Sequence, residues 1–84
     1  MSQLKVKFFA SLREQLGSDS VELAWTDGQS IQVLIDLLKE QLGEAANILD
    51  QSEILVAVNQ TMVDRDHHIN AQDEIAFLPP VTGG

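Results

Sequence analysis

One stretch of this chain has the length and the patterning of a helix that can cover a sheet. Ile31, Leu34, Ile35, Leu38 and Leu42 recur at the i, i+3, i+4, i+7 spacing of one helical face, and Val33 and Leu37 widen the stripe. Ser30 stands where an N-cap is needed, and Gly43 where the helix must stop. Asp36, Lys39, Glu40 and Gln41 fall on the opposite side, toward water. Such a helix must bury its stripe, and the rest of the chain offers strands to bury it against. With 84 residues there is one core to build, not two. The chain has no cysteine, which removes disulfides, thiolate zinc sites, iron–sulfur clusters and a cysteine nucleophile. Packing alone must hold so thin a core together, and that suits a reducing compartment.

The strands show in alternation. Leu4-Lys5-Val6-Lys7-Phe8 puts Leu4, Val6 and Phe8 on one face and Phe9 on the other. Ser11 to Glu14 has the form of a capping box, opening a short helix whose inner face is Leu12 and Leu16 and whose left-handed cap is Gly17. Ser20 to Ala24 alternates again, with Val21 and Leu23 together, and Asp27-Gly28 marks a turn. Residues 44–52 fit either a loop or a short helical turn. Ile54 to Val58 is wholly apolar, as a central strand is, and Asn59-Gln60-Thr61 leads tightly into a short return strand at Met62-Val63. Asp64 to Asp73 reads as a polar loop. Glu74 to Leu78 is the last strand, stopped by Pro79-Pro80. The order predicts an α+β fold: a mixed sheet of about five strands with one principal helix and a short helix after the first strand. It suits a β-grasp (ubiquitin-like) arrangement, in which the first two strands form a hairpin and the last lies parallel beside the first. Residues 1–80 are expected to form the domain and 81–84 a flexible tail.

Charge narrows the function classes. Thirteen acidic residues against 5 basic leave a net charge of −8, which repels phosphate backbones and anionic membranes. Solubility accounts for most of that charge; a basic partner surface is the sharper alternative. The start of the chain has no apolar block of signal-peptide length, and the longest apolar run, Ile54 to Val58, is far short of the roughly 20 residues of a membrane span. A soluble, cytoplasmic protein is expected.

Catalytic constellations are scarce. There is no tyrosine, and the serines have no evident histidine and acid partners. His67 and His68, near Asp64 and Asp66, point apart on an extended chain and read as a solvated loop rather than a metal site. Asp73 and Glu74 are neighbours at a strand entry and face opposite sides, so they are no acid/base pair. Trp25 reads as cover for a core edge, not a stacking platform. No metal and no bound cofactor are expected.

The end of the sequence is the informative part. From Ile75 to Gly84 no side chain carries charge. Pro79-Pro80 stiffens the exit from the sheet, and Gly83-Gly84, lacking Cβ atoms, can lie in a slot too narrow for other residues. Roughly one chain in 200 ends Gly-Gly by chance, so the pair alone is weak evidence. Joined to the strand-to-proline exit and the order of elements, it becomes strong. A slim tip ending in a carboxylate suits an enzyme that grips a protein's C-terminus and acts on it.

Phe8-Phe9-Ala10 with Arg13-Glu14, Ala57-Val58-Asn59-Gln60-Thr61, Asp73-Glu74-Ile75-Ala76-Phe77 and, most specifically, Pro79-Pro80-Val81-Thr82-Gly83-Gly84 carry a resemblance that runs nearly end to end. In these residues the chain resembles the small subunits of molybdopterin synthase, the MoaD family of ubiquitin-like sulfur carriers. Residues 18–53 match only in pattern. The resemblance implies that an activating enzyme, similar to those of ubiquitin, adenylates the Gly84 carboxylate with ATP. Sulfur from a persulfide then displaces the adenylate and leaves a Gly84 thiocarboxylate. The tail, Pro79, Pro80, Val81, Thr82 and Gly83, would thread into the large synthase subunit, in a heterotetramer of two small and two large subunits. There the sulfur would pass to a cyclic pyranopterin monophosphate on the way to the dithiolene. The catalytic side chains would belong to the partner, and this chain would be no enzyme on its own.

Strand phase also predicts an exposed apolar patch of Phe9, Met62 and Leu78 near the tail exit, covered by the large subunit. Two other readings stay open: a carrier for thiamin or tRNA thiolation, and a ubiquitin-like interaction module or modifier conjugated to lysines.

Overall fold

The computed structural model describes residues 3–80. The chain runs β1 (Gln3–Phe8), α1 (Ser11–Leu16), β2 (Ser20–Ala24), β3 (Gln29–Ser30), α2 (Ile31–Leu42), a 3-10 helix (Gly43–Asp50), β4 (Leu55–Val58), β5 (Thr61–Val63), β6 (His68–Ile69) and β7 (Glu74–Leu78). Five strands form one sheet in the order β2-β1-β7-β4-β5, while β3 and β6 pair as a separate antiparallel ribbon. β1 and β7 run parallel, and the other neighbours in the sheet are antiparallel. This is the β-grasp arrangement that the order of elements suggests, with β1 and β2 paired around α1 and the last strand beside the first.

The helical stripe lands where its spacing sends it. Ile31, Leu34, Ile35 and Leu38 of α2 are fully buried, in one cluster with Leu4, Val6 and Phe8 of β1, Val56 and Val58 of β4, and Ile75 and Phe77 of β7. Phe8 and Phe77 are register partners, and their rings stack with centroids 6.1 Å apart. Ser30 caps α2 by accepting from the Val33 N–H at 3.4 Å. The Ile31 and Gln32 amides donate to the carbonyls of His67 and Arg65, so the β5–β6 loop closes the helix N-terminus. Gly17 takes the left-handed cap after α1, at φ 72 and ψ 19. Asn59 and Gln60 both have positive φ, 52 and 70, which is the two-residue turn that matches the twist of the β4–β5 hairpin.

Two expectations need revision, and one alternative left open is resolved. The capping box does not form: Ala10 holds the N-cap position of α1 and no side chain caps it. Ser11 already lies inside the helix, where its hydroxyl is not placed to take an N-cap bond. Of the two readings of residues 44–52 the helical one holds: they fall largely in the 3-10 helix, which buries Ala46 and Leu49. The Arg65 guanidinium donates to the Leu49 and Gln51 carbonyls at 2.9 and 2.7 Å and so ties the end of that helix. The polar stretch Asp64 to Asp73 is more than a loop. It contains β6, whose Ile69 is completely buried and whose Ile69 carbonyl accepts from the Trp25 indole at 3.0 Å and the Gly28 amide at 3.0 Å. A two-residue strand carries no period, so one isoleucine in a polar run gives no sign that it is a core anchor. Trp25 itself is buried at the core edge, as expected. Among the described residues no helix is long and apolar enough to cross a membrane.

Ile69→Ala is therefore expected to destabilise the fold by about 2–5 kcal/mol, the range for emptying a full core position. His68→Ala, at the exposed neighbouring position, is expected to change stability by no more than about 0.5 kcal/mol. Urea unfolding of both variants checks the contrast.

Candidate functional site

α2 packs against one face of the five-stranded sheet, and strand alternation decides what the other face presents. Outward from β1 come Lys5 and Lys7, with Phe9 next in the alternation beyond the strand end. Outward from β7 come Glu74, Ala76 and Leu78, and from β4 come Leu55 and Ala57. The register aligns Lys7, Ala76, Ala57 and Met62 in one row across four strands. One step nearer the end of β7, Leu78 lies opposite Leu55. The Phe9 amide donates to the Phe77 carbonyl at 3.1 Å and holds Phe9 alongside this second row.

Phe9 and Met62 are the large hydrophobic side chains left open among the described residues, 43% and 56% exposed. Leu78 is half-buried, so its contribution to the patch is an edge rather than an open side chain. Leu55 and Ala57 belong to the same surface and were not singled out from the sequence. In a run that is apolar on both faces, alternation cannot say which residues point outward. Ala57 is nearly covered by its neighbours, and Leu55 is half-buried.

At the end of β7 the chain passes through Pro79, half-buried, and Pro80, exposed. Both prolines line a cleft of about 380 Å³ together with Leu12, Gln15, Ile48 and Gln51, from α1, the 3-10 helix and the turn after it. Val81, Thr82, Gly83 and Gly84, the rest of the expected threading segment, lie outside the described residues.

Backbone strain sits beside the patch. Ala10 has φ 53 and ψ −131, a conformation natural to glycine and costly for a residue with a Cβ. The sharp turn there follows Phe9, one residue past the end of β1, and starts α1 at once, leaving Phe9 at a corner.

The remaining polar candidates have structural work. The Asp73 carboxylate accepts from the Asn59 side-chain amide at 3.0 Å and from the Asn70 N–H at 2.8 Å. Asn59 in turn accepts from the Glu74 N–H and donates its own N–H to the Glu74 carbonyl. Together these bonds lock the β4–β5 turn to the start of β7. His67 lends its carbonyl to the N-terminus of α2, and His68 lies exposed on β6. Among the described residues no group of three histidine, aspartate or glutamate side chains gathers as a metal site.

Comparison with known proteins adds to this geometry. The sequence matches the ThiS family over residues 6–84. It is 43% identical over 81 residues to the molybdopterin synthase sulfur carrier subunit of Escherichia coli (strain K12), an alignment covering 96% of this chain and 99% of that protein. The fold matches the solution structure of the small archaeal modifier protein 1 from Methanosarcina acetivorans, with a TM-score of 0.78 at 25% identity over 100% of this chain and 98% of that one. It also matches a chain in the complex of subunits 1 and 2 of the molybdopterin-converting factor from Helicobacter pylori 26695, with a TM-score of 0.69 at 23% identity, covering 98% and 99% of the two chains.

Two stability measurements test the site's local physics. Ala10→Gly is expected to raise stability by roughly 1 kcal/mol, because relief of the positive-φ strain exceeds the entropy that glycine adds to the unfolded chain. Phe9→Ser and Met62→Ser are each expected to stay within about 0.5 kcal/mol of the unsubstituted chain, since neither side chain is needed to fill the core. Thermal unfolding of the three variants reads both effects.

Proposed function

The chain belongs to the ThiS family, and from that premise we propose that it is the sulfur carrier and small subunit of a molybdopterin synthase. The observation that carries this reading is the match to the E. coli sulfur carrier subunit, which spans nearly the whole of both chains at 43% identity. The geometry agrees with it. A carrier must offer a reactive end and a surface by which a partner holds it, and β7 leads from the middle of the sheet to the Pro79-Pro80 exit beside the uncovered face that carries Phe9 and Met62.

In this proposal the reacting group is the Gly84 carboxylate. A carboxylate is a poor acyl donor because oxide is a bad leaving group. An activating adenylyltransferase removes that obstacle: a Gly84 oxygen attacks the α-phosphorus of ATP, pyrophosphate leaves, and an acyl adenylate forms. A persulfide sulfur then attacks the Gly84 carbonyl carbon and expels AMP. A thiol cleaves the sulfur–sulfur bond of the resulting acyl disulfide and leaves the thiocarboxylate. That sulfur is nucleophilic at neutral pH and passes to the cyclic pyranopterin monophosphate, and water attacking the acyl carbon returns the carboxylate. Each loaded chain carries one sulfur, so two are consumed per dithiolene. ATP is bound by the activating enzyme and the catalytic side chains come from the large subunit, so this chain holds no cofactor and works in the cytoplasm as a substrate-like partner. The name of the E. coli relative, a synthase subunit, supports a large-subunit partner. The proposed assembly is a heterotetramer of two small and two large subunits, with Phe9, Met62 and the edge of Leu78 under the large subunit and Pro79 to Gly83 threaded into it.

The likeness to a small archaeal modifier protein favours one second reading, conjugation of the same carboxylate to lysines. The mass of the chain purified from cells separates the two. A fraction with one oxygen replaced by sulfur supports the carrier; isopeptide-linked adducts support the modifier.

Removing Gly84 draws the carboxylate back by about 3.5 Å. Misplacement of that size is expected to cut thiocarboxylate formation, with the activating enzyme, ATP and a sulfur source, by at least about 100-fold. Gly83→Val is expected to block entry into the proposed narrow slot. Both variants are expected to fold with stability changed by well under about 1 kcal/mol. Normal loading of the shortened chain would refute the carrier mechanism.

A further inference from the structure

The uncovered sheet face has a charge pattern at odds with the charge of the whole chain. The chain carries a net charge of −8 with five basic residues. Two of these are used internally: Lys39 pairs with Asp50, and Arg65 donates to the Leu49 and Gln51 carbonyls. Lys5 stands between two carboxylates across the strands, Glu22 on β2 and Glu74 on β7. Lys7 and Arg13 remain. The Lys39–Asp50 pair is the one ion pair among the described residues, so neither of them has an anionic partner. Both line a cleft of about 240 Å³ whose wall includes Phe9, with Asp19 and Ser20 also lining it. Lys7 is half-buried, and its register partners on either side, Ser20 and Ala76, are uncharged.

We infer that this cleft receives a carboxylate side chain from the protein that covers Phe9 and Met62. The inference rests on the carrier-subunit reading above. Phe9 belongs to both surfaces, so a partner that buries it also strips water from Lys7 and narrows the solvent around Arg13. A cation left without water and without a counter-charge weakens an interface strongly. Asp19 cannot supply the whole compensation, because it is exposed, forms no ion pair, and is one carboxylate facing two cations. One carboxylate from the partner balances the cleft, and an ammonium and a guanidinium that line the same cleft can both donate to it. The overall negative charge would attract a basic surface; this cleft asks for the opposite at one defined point. It gives the interface a register that apolar contacts at Phe9 and Met62 alone do not provide.

The test uses the full chain and the purified large synthase subunit, with affinity measured by calorimetry at low and high salt. Lys7→Gln and Arg13→Gln are each expected to weaken binding by about 10-fold or more, mainly through faster dissociation. Lys7→Arg is expected to retain it. Phe9→Ser is expected to weaken binding without altering its salt dependence, whereas the two glutamine variants should flatten it. The sign of the change is decisive. Each glutamine variant makes the chain more negative, so an interface governed by net charge against a basic surface would bind it more tightly. Unchanged or tighter binding by both variants overturns the inference while leaving the carrier reading intact. Arg13 is exposed on α1, so Arg13→Gln decides the matter alone if Lys7→Gln disturbs the fold. If the unsubstituted chain fails to bind the large subunit, the carrier-subunit reading falls and this inference falls with it.

Discussion

The one long helix among the described residues can cover only one face of a five-stranded sheet, and its 12 residues are committed to that face by the apolar stripe they must bury. What remains follows from that asymmetry. The covered face becomes the core, built of Leu4, Val6, Phe8, Ile75, Phe77 and their partners. The uncovered face has no helix over it, and there the chain places Ala76, Met62 and Phe9 alongside Lys5, Lys7 and Glu74, with Ala57 nearly covered among them. This face mixes small apolar residues and two open large ones with charge, and the proposed partner surface rests on that mixture.

A core this small leaves little margin, and the polar segment between β5 and β7 is used to support it. The carbonyls of Arg65 and His67 close the N-terminus of α2, the Arg65 side chain ties the end of the 3-10 helix, and Ile69 fills the core beneath Trp25. Asn59 and Asp73 then join the β4–β5 turn to the first residue of β7. The loop thus satisfies backbone groups that a short chain without disulfides has few other means of satisfying.

Parallel pairing of β1 with β7 is the second consequence of topology that matters. It puts the last strand in the middle of the sheet, flanked by β1 and β4. β7 therefore runs to Pro79-Pro80 paired on both sides, and Phe9, one residue past the end of β1, is brought beside it. The strained turn at Ala10 follows at once. The end of β7 is thus paired on both sides, with the uncovered face beside it, which suits the proposed presentation of the terminus to a partner.

Periodicity in the sequence was enough for α2, β1, β2 and β7, because each has one buried and one solvated face and so writes its period into the residue order. The caps at Ser30 and Gly17 and the turn at Asn59-Gln60 were legible for a similar reason: each depends on a local requirement that few residue types meet. Elements held by distant contacts were not legible. Ile69 earns its burial from Trp25 and Gly28, which lie far from it in sequence, and Ser11 lost its capping role because the chain bends at Ala10 instead. The chemistry expected at Gly84 rests on residue identity alone, since a terminal carboxylate needs no fold to be a carboxylate. The surface that presents it is another matter. The outward placement of Leu55 and Ala57, the half-burial of Leu78, and the meeting of Lys7 with Arg13 beside Phe9 depend on strand order and register, and only the tertiary structure decides those, because it alone brings residues distant in sequence onto one face.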